Sequence, residues 1–210
     1  MIPAAAPDLD AVDEDELFRQ LPSVYADPAW LVSCFGDAIS RETARRLLAT
    51  KRLQGRLSRL LADQHRLPTS IAKGAPAMEE VDQAIAYASA EKLSEIAMKA
   101  GAVYWAATLA RTISGREAAI LRNELGAALC TLAVANKDLA GPEQPLEPLT
   151  RIRERIEADG WRCLVAWCEA VGQFVAARVR LKLPPQSPLA EPLVPCFATI
   201  GPLIVRRLAE

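Results

Sequence analysis

The chain has 210 residues, with 38 Ala and 27 Leu against 12 Val, 11 Ile and 5% aromatics; this balance suits helices rather than strands, and a chain of this length buries a core without disulfides or metals, which excludes wholesale disorder. With 25 Lys+Arg against 26 Asp+Glu, the global field gives no reason to expect general nucleic-acid or acidic-membrane binding, and any electrostatic partner must be read locally. The longest uncharged stretches are eleven residues at 100–110, twelve at 125–136 and fourteen at 192–205, all short of the roughly 18 that a membrane span needs.

Residues 1–15 form an acidic leader read as poorly ordered; the first 18 residues carry six acids (Asp8, Asp10, Asp13, Glu14, Asp15, Glu16) and no Lys or Arg. That is the reverse of a targeting segment and places the expected location in the cytoplasm. A single helical domain is expected over 16–187. Asp27-Pro28 supplies an N-cap and a first-turn proline for a short helix through Ala29-Trp30-Leu31-Val32. Ser40 caps a long segment from Arg41 to about Leu67, with Leu47, Leu53, Leu57, Leu60 and Leu61 on one broad side. At about 100° per residue, Arg41, Arg45, Arg52, Arg56 and Arg59 fall within about 60° of arc on another side. This basic stripe reads as a solvated face, as a docking surface for an acidic partner segment, or as a nucleic-acid contact. Aromatics do not interleave with the arginines, which disfavours the last.

Residues 68–76 hold Pro, Thr, Ser and Gly and mark the best internal boundary. A helix then runs from Met78 to about Ala90 with Val81, Ile85 and Ala88 inward, followed by a core helix on Leu93, Ile96, Ala97, Ala100, Val103, Tyr104 and Ala107. Ser114-Gly115-Arg116-Glu117 is a capping box opening a helix that buries Leu121, Leu125, Leu129 and Leu132 and ends near Lys137. After a proline loop at 141–148, a short charged helix from Leu149 to Glu157 stops near Gly160. A further helix from Trp161 carries Leu164, Val165, Cys168, Val171, Val175 and Val179 on one face, and its outer side ends in Arg178, Arg180 and Lys182, with an extended piece as the alternative at Val179 to Leu183. The tail 188–210 holds four prolines among apolar residues and should pack on the domain or on a partner. The fold class is therefore all-α, an irregular bundle of about six to nine helices with no substantial sheet. Trp105 and Trp161 read as core, and Trp30 as core or interface anchor.

Little assembled chemistry is expected. The ten glycines are never closer than eleven positions, which removes the P-loop and the dinucleotide fingerprint. His65 is the only histidine, so two-His zinc signatures are absent, and its place at a helix end suits an imidazolium at a helix C-terminus. Cys34, Cys130, Cys163, Cys168 and Cys196 form no CxxC and read as small buried hydrophobes; Cys163 and Cys168 lie about 140° apart around a helix and cannot share an ion. No cofactor, metal or small-molecule substrate is expected. A small enzyme using His65 or Cys163 is the minor alternative, and a small helical regulator binding nucleic acid or a protein through the Arg41 to Arg59 stripe is another.

A family likeness adds a specific reading. Ala90-Glu91-Lys92-Leu93 through Gly101, Arg111-Thr112-Ile113-Ser114-Gly115-Arg116-Glu117-Ala118, Leu121-Arg122-Asn123-Glu124-Leu125-Gly126, and Asp159-Gly160-Trp161-Arg162-Cys163-Leu164 leading to Arg178-Val179-Arg180-Leu181-Lys182-Leu183-Pro184 together resemble the K-subunit family of bacterial type III secretion sorting platforms (YscK/PscK-like). The likeness covers roughly residues 90 to 185; Thr131 to Val134 and the tail beyond Pro184 depart from it. It implies a non-enzymatic cytoplasmic adaptor at the base of an injectisome, linking the cytoplasmic domain of the inner-membrane ring to the C-ring-like Q subunit, in pods that also hold the L stalk protein and the ATPase. With the residue reading, it makes Arg41, Arg45, Arg52, Arg56, Arg59, Trp30, Arg178, Arg180 and Lys182 the candidate partner-binding residues.

Overall fold

A computed structural model describes residues 13–70, 78–112 and 115–209. Among these the protein is all-α, with twelve α-helices, six short 3-10 turns and no strand. The helix count exceeds the six to nine expected because glycines and tight turns divide several long periodic segments. The chain forms two compact units: one gathers the described residues up to Met78 with Gly172–Ser187, the other holds Glu79–Val171 with Pro188–Glu210. Most of the loop expected as an internal boundary, and Ser114 of the expected capping box, lie outside the described residues.

The first unit contains α1 (Glu14–Gln20), α2 (Pro28–Cys34), α3 (Arg41–Leu48), α4 (Gln54–Gln64) and, from the late part of the chain, α11 (Gln173–Leu181). α1 begins at Glu14, with three acids in its first turn and Phe18 buried. The caps that start α2 and α3 are those read from the sequence: Asp27 accepts from the Ala29 amide at 2.8 Å and Ser40 from the Thr43 amide at 3.1 Å. The helix expected to run unbroken to Leu67 does not. It stops at Leu48, passes through Thr50 in extended conformation (ψ 99°) and a 3-10 turn at Lys51–Leu53, and restarts at Gln54. Gln54 holds that break from inside: it is buried, donates to the Leu48 carbonyl left free by the helix end, and accepts from Ser23. Ala26, Leu31, Ala44, Leu48, Leu57, Leu61, Leu67 and Leu181 close the core of this unit.

The second unit is organised by α6 (Ala90–Tyr104) and α10 (Ile152–Val171). Leu93, Ile96, Ala97, Ala100, Val103 and Tyr104 are all buried, as their spacing predicts. Gly160, expected to stop a helix, instead lies inside the 20-residue α10. Two backbones meet there: a Cβ on Gly160 would come 1.7 Å from the Ala97 carbonyl oxygen, and one on Gly101 would come 1.8 Å from that of Ile156. Around this crossing lie α5 (Glu80–Tyr87), α7 (Ala106–Arg111), α8 (Gly115–Leu125), α9 (Ala127–Ala135) and α12 (Ile200–Arg207).

Two glycines divide segments expected to be continuous. Gly126 (φ 86°, ψ 147°) turns the chain by 105° between α8 and α9, and Gly172 (φ 87°, ψ 159°) ends the run of α10 before α11. Both conformations belong to a region that only glycine occupies without strain. The stretch Val179 to Leu183, an alternative extended piece, is helical to Leu181. In the tail, Leu189, Phe197, Ile204 and Val205 are buried, and Phe197 stacks on Tyr104 with ring centroids 4.4 Å apart. Among the described residues no single helix is long and apolar enough to cross a membrane.

Candidate functional site

The arginine stripe does not form one continuous face, because the break at 49–53 separates its two ends. Arg41 pairs with Asp27 at 2.7 Å and Arg45 with Glu42 at 2.5 Å; Arg46, the neighbour of Arg45, shares the same Glu42 at 3.2 Å. These charges on α3 are answered by the unit's own acids. Arg52, Arg56 and Arg59 are exposed and pair with no acid among the described residues; Arg59 donates only to the Gly55 carbonyl of its own helix, at 3.3 Å. The free positive charge therefore sits on α4 and the turn leading into it.

The second basic run is corrected by burial. Arg178 and Lys182, expected on an outer face, are only 5% and 7% exposed. Arg178 donates to the Arg19 carbonyl at 2.9 Å, to the Pro68 carbonyl at 3.0 Å and to the Phe174 carbonyl at 3.2 Å, with its guanidinium 3.6 Å above the Phe174 ring. It satisfies loop and helix-end carbonyls within its own unit. The Lys182 ammonium lies 5.5 Å from the Phe18 ring centre and 5.4 Å from that of Tyr25. Burial pulls its pKa down to about 8, with the Glu14 carboxylate opposing that shift. Arg180, between them, is half-buried. The sequence signal for this reversal is weak, because Arg and Lys stems cover apolar surface on many helices without burying the head group.

Trp30 is half-buried, and its indole N–H donates to the Leu183 carbonyl at 2.7 Å. It ties α2 to the end of the late chain segment in the same unit. Its ring meets His65 edge-on, with centroids 4.8 Å apart. His65 caps the C-terminus of α4, as its sequence position predicts. Its Nε2 lies 3.1 Å from the Trp30 carbonyl oxygen and 3.4 Å from Cys34 Sγ. The Cys34 thiol also donates to the Trp30 carbonyl, at 3.2 Å, and burial pushes its pKa up. A thiol held protonated and turned toward a carbonyl is poorly prepared to be a nucleophile.

Cys163 is not near a helix start. It lies in the middle of α10, fully buried, and burial pushes its thiol up, with Asp159 adding to the effect. That environment opposes the thiolate that the alternative enzyme reading needs. The sequence reading missed two buried aspartates that anchor tryptophans in the second unit. Asp159 accepts from the Trp105 indole at 2.7 Å and pairs with Arg162 at 2.6 Å; Asp82 accepts from the Trp167 indole at 2.8 Å and takes a fork of two 2.9 Å bonds from Arg206. Each carboxylate is fully occupied in holding helices together. A shallow hollow of about 420 Å³ beside α7 is lined by Thr108, Arg111, Thr112, Glu117, Glu143, Gln144 and Leu146. Arg111 and Glu143 pair across its rim, and Thr108 exchanges two hydrogen bonds with the Gln144 backbone. No group of three His, Cys, Asp or Glu among the described residues is placed to hold a metal ion.

Two surfaces stand out: the arginine edge of α4 and the outer side of α9. Every residue of α9 is apolar except Thr131, yet only Ala133 is buried and Val134 is 47% exposed. Comparisons with family models, curated proteins and solved structures find no match to this chain.

Proposed function

We propose that this protein is a non-enzymatic adaptor of a bacterial type III secretion system. On this reading it resides in the cytoplasm at the inner-membrane base of the apparatus. It links the cytoplasmic domain of the inner-membrane ring to the C-ring-like Q subunit, in pods with the L stalk protein and the ATPase, and so supports protein secretion.

The observation that carries the reading is where the family likeness falls. Its segments fall on α6, α8, α10 and α11, and they include Gly101 and Gly160, whose backbones meet where α6 and α10 cross. The likeness therefore includes two residues at the helix crossing, Gly101 and Gly160, together with exposed ones such as Lys92, Arg116 and Arg122. A binding role also agrees with the use made of the polar residues. Asp82, Asp159 and Arg178 are engaged in joining helices, while the exposed arginines of α4 and the apolar outer side of α9 each offer a face to a partner. Affinity purification of the tagged full-length protein from the native cell is expected to retain the Q subunit and the inner-ring cytoplasmic domain. Retention of neither would overturn the proposal.

A further inference from the structure

The geometry points to the edge formed by Arg52, Arg56 and Arg59 as the docking site for an acidic amphipathic helix of a partner protein. The inference rests on the adaptor reading only for the kind of partner, a protein.

Three observations select the occupant. First, the charge of this edge is unanswered: Arg52, Arg56 and Arg59 pair with no acid among the described residues, whereas on α3 Asp27 takes Arg41 and Glu42 takes Arg45 and Arg46. Arg56 and Arg59 are exposed one turn apart on α4, and Arg52 is exposed in the turn that leads into it, a row that a second helix meets with carboxylates at three- and four-residue spacing. Second, an apolar seam runs beside the charge. Leu53, in the turn before α4, and Leu60 are half-buried against the unit's core, and at about 100° per residue along α4 Leu60 projects on the Arg56 side of the ridge. A carboxylate-bearing helix with an apolar edge matches both features. Third, Gly55 lies on the exposed side of α4 with nothing within 4 Å of where a Cβ would stand. It lies on the Arg59 flank of the ridge, about 140° around α4 from Leu60, and leaves that flank open.

The same surface fits nucleic acid less well. No Phe, Tyr or Trp interleaves with the arginines between Arg41 and Arg66 for base stacking. Arginine rather than lysine at all three positions favours forked hydrogen bonds to carboxylates.

The test uses the full chain and a labelled helical peptide with glutamates at three- and four-residue spacing beside a leucine seam, read by fluorescence anisotropy at low and physiological salt. Replacing Arg52, Arg56 and Arg59 together by Gln is expected to weaken binding about tenfold or more, because three exposed charge pairs are lost at once. A charge-matched control with Arg116, Arg122 and Lys137 changed to Gln is expected to bind as the parent does. Exchanging the peptide glutamates for glutamine should abolish binding. Equal loss in both triple variants, or no binding of the acidic peptide at millimolar concentration, would overturn the inference. So would an oligonucleotide that outcompetes the peptide at this edge, which would assign the ridge to nucleic acid. Because the assay contains no secretion component, failure here leaves the adaptor proposal to its own tests.

Discussion

Gly101 and Gly160 face each other where α6 and α10 cross: a Cβ on Gly160 would lie 2.8 Å from the Gly101 amide nitrogen and 1.7 Å from the Ala97 carbonyl oxygen. The contact is backbone against backbone, so no flexible side chain can yield. Gly101→Ala or Gly160→Ala should force the helices apart and cost upward of about 3 kcal/mol, the range reached by overpacking a core without room to relax. Gly55→Ala is the contrasting case. It meets nothing within 4 Å, lies in the first turn of α4, and is expected to stabilise by roughly 0.5 to 1 kcal/mol through helix propensity. Urea unfolding of the three variants checks both directions.

The joint between α5, α10 and α12 depends on one carboxylate. Asp82 is only 4% exposed and receives both the Trp167 indole and the Arg206 fork. Asp82→Ala strands a buried indole N–H and a partly buried guanidinium, with an expected loss of about 3 to 5 kcal/mol. A double-mutant cycle with Arg206→Ala should return a coupling of more than about 1 kcal/mol. Additive losses would show that the fork contributes nothing specific.

Lys182 makes the first unit sensitive to alkaline pH. Its pKa in the fold is about 8, below the ordinary 10.5, so the folded state releases its proton first. Between those values the unfolded chain holds more protons, and stability should therefore rise with pH across that window; below about pH 8 the full cost of the buried charge is present. Lys182→Met removes that cost. The variant should be more stable than the parent by on the order of 2 kcal/mol at pH 7, with the gap closing by about pH 10.5. Denaturant midpoints at pH 7, 9 and 10.5 measure the difference.

Much of this architecture is legible in the sequence because its signals are local. The Asp27 and Ser40 caps, and the inward face of α6 from Leu93 to Tyr104, depend on neighbours within a few residues. What the sequence hides depends on distant contacts. Gly160 resembles a helix stop until Ala97 is brought against it, and Gly126 resembles a tolerated helix glycine until its positive φ turns the chain. The candidate site divides in the same way. Arg52, Arg56 and Arg59 are exposed, as an amphipathic pattern implies, whereas Arg178 and Lys182 are drawn inward by the Arg19 carbonyl and by the Phe18 and Tyr25 rings, which no periodicity reveals.

An adaptor does not need either candidate catalytic side chain. His65→Ala and Cys163→Ala, each checked for an intact fold by circular dichroism, are expected to restore secretion fully to a strain lacking the protein. A folded variant that fails to do so would favour the enzyme reading.

The most direct test of the adaptor account is secretion by a strain in which only this gene is deleted. The account predicts that export of secreted proteins stops while the membrane rings still assemble, and that a plasmid copy restores export. Normal export from the deletion strain would contradict it.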